Sequence, residues 1–102
     1  MAVQQTDTTV EVRTALALWV PRDAMGDLTA GVRDVLQGVD GVAAATVVEV
    51  TDLRPTATDL RVRAEADLRL DRDRATDTDA ARDLLADGFG VTDVEHVTLD
   101  AR

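Results

Sequence analysis

The sequence predicts an α+β sandwich in which a four-stranded antiparallel sheet carries two helices on one face. Three observations carry that expectation. Leu60, Val62, Ala64, Ala66, Leu68 and Leu70 alternate without a slip with Arg61, Arg63, Glu65, Asp67, Arg69 and Asp71, the side-chain period of a strand with one buried and one solvated face. A second apolar comb, Val42, Ala44, Thr46, Val48 and Val50, precedes it, and Asp52 to Asp59, with Pro55, reads as the turn of a long hairpin. Two stretches with apolar residues at helical spacing, one after Asp23 and one after Asp73, connect the strands.

In chain order, residues 1–8 are polar and expected to be frayed, and residues 9–100 are expected to form one domain. Val10, Val12, Thr14, Leu16, Leu18 and Val20 alternate with Glu11, Arg13, Ala15, Ala17 and Trp19, a first strand that stops at Pro21, which has no N–H to extend a ladder. Asp23 is the expected N-cap of a helix with Met25, Leu28, Val32, Val35 and Leu36 inward, and Gly38 its stop. After the hairpin, Asp73 or Thr76 is expected to cap a second helix that buries Ala80, Ala81, Leu84 and Leu85 and ends at Gly88 and Gly90. The last strand is expected over Val94–Leu99, with Val97 and Leu99 inward.

Gly41-Val42…Val48-Glu49-Val50 and Gly90-Val91…Val97-Thr98-Leu99 are weakly self-similar. Two split β-α-β halves packed into a ferredoxin-like sandwich account for this, and right-handed crossovers give the strand order 4-1-3-2. Such a fold leaves one sheet face uncovered. Trp19, Val47 and Val94 are expected on it, with Ala15, Ala17, His96 and the charges of the third strand. That face is either solvated or an interface between copies.

Twenty acidic residues against eleven basic ones give a net charge of −9; all eleven basic residues are Arg, and sixteen of the acids are Asp. An acidic, lysine-free surface over a Val/Ala core resembles proteins of salt-saturated cytosols, where cations screen carboxylate repulsion; a GC-rich genome is the other source of an Arg-for-Lys bias. With one Phe, one Trp, no Tyr and no Ile, burial falls to small residues, which makes packing against a second copy attractive. No apolar run approaches a membrane span and the first residues carry no secretion signal, so a cytoplasmic, non-membrane protein is expected. The absence of Cys excludes disulfides and thiolate ligands.

The residue types restrict chemistry further. Ser, Cys, Lys, Tyr and Asn are absent, so an enzyme would have to run on carboxylates and His96. Glu95 and His96 are strand neighbours and point to opposite faces, so they form no dyad. Asp71, Asp73, Asp77 and Asp79 are the densest acidic cluster, but Ala75 and Thr76 break a calcium-loop pattern and no Glu closes it. Carboxylates at a helix start also simply complement its dipole. Glu65 and Asp67 interrupt the third-strand arginines, and with the net charge this argues against nucleic acid. Trp19 is expected to fill a sheet edge or an interface and not to form a stacking platform, because no second aromatic is expected to join it. No cofactor or metal is expected.

Leu16-Ala-Leu-Trp-Val-Pro21, Gly38-Val39-Asp40-Gly41-Val42 and Val47-Val48-Glu49-Val50 together resemble a family of small archaeal proteins, domain of unknown function family 211, over roughly residues 12–99. The resemblance implies a ferredoxin-like fold and ring-like homo-oligomers, and it implies no activity and no site residues. Two functions are therefore expected. The first is a non-enzymatic domain that self-assembles through an edge strand or the open sheet face. The second is a regulatory module of the amino-acid-binding type, with a small-molecule effector between protomers and Gly38, Asp40 and Gly41 as its contacts.

Overall fold

The structure, a computed structural model, describes residues 8–100. Strand β3 (Asp59–Asp71) follows its sequence without exception: Leu60, Val62, Ala64, Ala66, Leu68 and Leu70 are buried and the charged residues between them face solvent. It pairs antiparallel with β1 (Thr9–Pro21) along its whole length, from Thr9 opposite Asp71 to Pro21 opposite Asp59. On its other side it pairs with β2 (Val42–Pro55), and β4 (Val91–Asp100) joins the free edge of β1. The resulting four-stranded antiparallel sheet has the order β2-β3-β1-β4, the expected 4-1-3-2 order counted from the opposite edge.

Both helices start later than expected. Arg22–Asp27 form a 3-10 turn, and α1 (Leu28–Gln37) is capped by Asp27, whose Oδ1 accepts from the Ala30 N–H at 3.2 Å, in place of Asp23. Helix α2 (Thr78–Ala86) is capped by Asp77 through the Ala80 N–H at 2.8 Å, in place of Asp73 or Thr76. The intervening residues are used elsewhere: the N–H groups of Arg74 and Ala75 both donate to the Asp71 carbonyl, at 3.0 and 2.9 Å, and Ala75 is buried. A backbone already committed to that turn cannot also begin a helix.

Val32 and Leu36 of α1 and Ala81, Leu84 and Leu85 of α2 enter one core with Val12, Leu16, Leu18, Val20 and the inward residues of β3. Both helices thus cover the same sheet face. Each buried Leu or Val contributes about 1.5–3 kcal/mol, and neither aromatic belongs to this core: Phe89 is 94% and Trp19 36% exposed. Among the described residues no helix is long and apolar enough to cross a membrane. The segment expected to fray lies outside the described residues except for Thr8, whose carbonyl accepts the Arg72 N–H at 2.8 Å.

The two edge strands depart from simple alternation. Strand β2 runs through to Pro55, so only Thr56–Thr58 remain as the turn, held by the Thr56 Oγ1 accepting from the Asp59 N–H at 3.0 Å. Its ladder with β3 shifts register three times, between Val42 and Ala44, Val47 and Glu49, and Val50 and Asp52. Each bulge inserts an unpaired residue and reverses the parity beyond it. Val42, Ala45, Val47 and Val50 therefore face inward, opposite Leu70, Leu68, Ala66 and Ala64, while Val48 is 45% exposed. The placement of Val47 on the open face is thereby corrected.

Strand β4 begins at Val91, earlier than expected, and skips Glu95 and Thr92 against β1. Val94 lies opposite Leu16 and is buried in the core, so its assignment to the open face is corrected as well; Val97 is buried and Leu99 packs against the core as expected. The bulge at Glu95 is secured by side chains from both layers. Thr14, fully buried, donates through Oγ1 to the His96 carbonyl at 2.8 Å, and Arg82 of α2 donates to the Val94 carbonyl at 2.7 Å. Carbonyls that a bulge removes from the ladder thus regain donors.

Candidate functional site

Strand β4 meets β1 first at Leu18, so Trp19, Val20 and Pro21 run on past the start of their neighbour. The Trp19 N–H donates to the Gly90 carbonyl at 2.7 Å, the last hydrogen bond before the two backbones part. At Gly90 the chain turns with φ at +92°, and a Cβ there would stand 3.0 Å from the Val35 Cγ1. Only glycine tolerates both the dihedral and the approach of α1. This turn carries Phe89 into solvent, 94% exposed.

Between β1's last three residues, the final turn of α1 and the Phe89–Gly90 turn lies a concavity of about 480 Å³. Trp19, Pro21, Val35 and Phe89 supply its apolar lining, with Gly38 and Gly90 at the backbone and Asp34 and Asp59 as its charged groups. The chain's two aromatics, seventy positions apart in sequence, thus share one site. The expectation that no second aromatic joins Trp19 is thereby corrected: Phe89 borders the same concavity. No local pattern reveals this; the one clue is an isolated Phe between Gly88 and Gly90, in a turn where it has no core to fill.

Gly38 is part of this lining, whereas Asp40 and Gly41 belong to a different contact. Asp40, with its side chain 94% exposed, pairs with Arg74 Nη1 at 3.0 Å. Gly41 has φ at +97°, and its carbonyl accepts the Asp71 N–H at 2.9 Å. The structure therefore separates the three residues expected to form one ligand contact: one borders the concavity and two join the β2 start to the end of β3.

Of the three residues expected at an interface, only Trp19 stands on the open face. There it lies opposite Arg61 of β3, whose guanidinium carbon is 5.5 Å from its ring centroid, a cation–π contact. That face also carries three ion pairs, beside Ala15, His96 and the facing acids Glu49 and Glu65. Arg13 grips Asp67 through two hydrogen bonds of 2.6 and 2.9 Å, Arg69 meets Glu11 at 3.2 Å, and Arg63 meets Glu95 at 2.5 Å. The hydrogen bond from Arg13 holds the Asp67 carboxyl below its ordinary range and raises the guanidinium. A second concavity of about 520 Å³ spans Glu11, Arg13, Asp67, Arg69, Thr46 and Thr98 at the far end of this face. Its charged groups already have partners within it, so it offers a ligand little unpaired charge.

His96 is exposed opposite Ala15, and among the described residues no group of three His, Asp or Glu side chains is placed to hold a metal ion. Asp77, from the acidic run, is occupied as a helix cap. What the site at the Trp19 end can do is bind: it joins exposed apolar area to two carboxylates in a volume of small-molecule size. Comparison with protein-family models, curated proteins and solved structures yields no match.

Proposed function

We propose that this chain is a non-enzymatic binding domain of the regulatory type, with its small-molecule effector in the Trp19–Phe89 concavity. One observation carries the reading: both aromatics of the chain stay out of the core and line the same surface concavity. A buried aromatic removes about 150–250 Å² from water, so a ligand covering half of Phe89 gains on the order of 2 kcal/mol that folding has left unused. The strand order with two helices on one face supports a ferredoxin-like assignment. The resemblance to family 211 rests on the sequence motifs alone.

Trp19 is the sole tryptophan and reports on its own site. In a thermal-shift screen of amino acids, nucleotides, amines and divalent ions, at least one compound should raise Tm and also move the Trp19 emission. Phe89→Ala should weaken that compound about tenfold. A screen in which no compound does both refutes the proposal.

A second reading is self-association through the same end, supported by the exposure of Phe89. The edges are poorer candidates, because the bulges in β2 and β4 twist their backbones away from simple strand addition. Light scattering at low and high KCl separates a monomer from an assembled particle.

A further inference from the structure

We infer that the ligand of this concavity is an organic cation, an ammonium group carried on an apolar body. The inference rests on the binding reading above and adds the chemical class. The two charged residues in the lining, Asp34 and Asp59, are both acidic. Neither has a cationic side chain within 4.0 Å among the described residues. On the open face Glu11, Asp67 and Glu95 are each paired with an arginine, whereas Glu65 stands opposite Glu49. Asp59 Oδ2 accepts from the neutral Thr58 hydroxyl at 3.1 Å, and carboxylates with no cationic partner beside an apolar wall favour a ligand that brings the missing positive charge.

The aromatics point the same way. The face of an indole attracts cations, and Arg61 covers one face of Trp19 at 5.5 Å. Phe89, 94% exposed, supplies the ring in the lining that carries no cation. Aromatic rings combined with carboxylates are the chemistry that selects substituted ammonium groups over neutral molecules of the same shape. A net charge of −9 also enriches cations and depletes anions near the surface before contact. The volume of about 480 Å³ admits a body of ten or so heavy atoms with room for water.

Three probes with one body and different charge test this: 2-phenylethylammonium, 2-phenylethanol and phenylacetate, titrated into the full chain in one fixed salt. Trp19 emission and the Gly38 and Gly90 amide signals are the readouts. The ammonium should bind at least tenfold more tightly than the alcohol, and phenylacetate should leave all three signals unmoved. The double variant Asp34→Asn with Asp59→Asn should bring the ammonium down to the alcohol's affinity while leaving Tm within a few degrees.

Equal binding of ammonium and alcohol overturns the cation assignment and leaves the binding reading intact. Failure of all three probes to move Gly38 or Gly90 also overturns it, and the wider screen then decides the binding reading separately. Signals at those glycines that move with protein concentration alone would assign the site to a second copy of this chain and overturn the inference.

Discussion

Gly41→Ala should destabilise the domain by about 2–5 kcal/mol, for two reasons that the structure gives separately. Gly41 has φ at +97°, where an L residue carries roughly 1–2 kcal/mol of backbone strain. Its new Cβ would also stand 2.7 Å from the Leu84 Cδ1 and 3.1 Å from the Arg74 Nη1. Arg74 can swing away, releasing its exposed pair with Asp40. Leu84 is nearly buried in the core and cannot move so freely, and overpacking of that kind costs about 1–3 kcal/mol. At about 4–8 °C per kcal/mol for a domain of this size, Tm should fall by roughly 8–40 °C.

Gly38→Ala is the control. Gly38 sits at φ −78° and its nearest neighbour to a new Cβ is the Val35 carbonyl at 3.4 Å, so stability should change by less than about 1 kcal/mol in either direction. The assay is circular dichroism through a thermal ramp, with both variants in the same KCl concentration. A fall of less than 5 °C for Gly41→Ala, or equal falls for the two variants, would refute the account of this loop as a packed junction.

Two further outcomes follow from the charges. Asp67 has its folded pKa lowered from 3.8 by the Arg13 hydrogen bond, so its contribution is present above the unfolded value and is lost as pH falls through the folded one. The stability difference between wild type and Asp67→Asn should therefore hold from pH 7 to about 4 and shrink below. It should be small throughout because both side chains are about half exposed. Urea midpoints between pH 7 and 2.5 measure it, and a difference that grows on acidification contradicts the assignment. Raising KCl from 0.1 M to 2 M should raise Tm, since the −9 surface repels itself in dilute buffer; a flat Tm speaks against salt adaptation.

Strand β3 was legible because nothing interferes with its alternation: it is paired on both sides, and its parity is set by its own Leu and Val residues. The edge strands were not, because a bulge leaves the composition unchanged while reversing the faces beyond it. Val47 and Val94 look outward by counting and lie inward in the structure. The caps erred for a related reason: Asp23, Asp73 and Thr76 are all good caps locally, and which acid begins a helix depends on where the preceding turn has fixed the chain.

By itself, then, the amino-acid order determined the class of fold, the central strands, the buried positions Val32, Leu36, Ala81, Leu84 and Leu85 of the helices and the acidic character of the surface, since each is written in periodicity or composition over a short window. Ala80, expected inward, is only half-buried, and Met25, expected inward on the first helix, falls in the 3-10 turn with its side chain outside the described part of the structure. The tertiary structure alone decided the faces of β2 and β4, the splitting of Gly38 from Asp40 and Gly41, and the meeting of Trp19 with Phe89. These depend on groups distant in sequence: Thr14 and Arg82 secure the Glu95 bulge from a neighbouring strand and a helix. The concavity lies where β4 starts opposite Leu18, so that the last three residues of β1 are paired with β3 but not with β4.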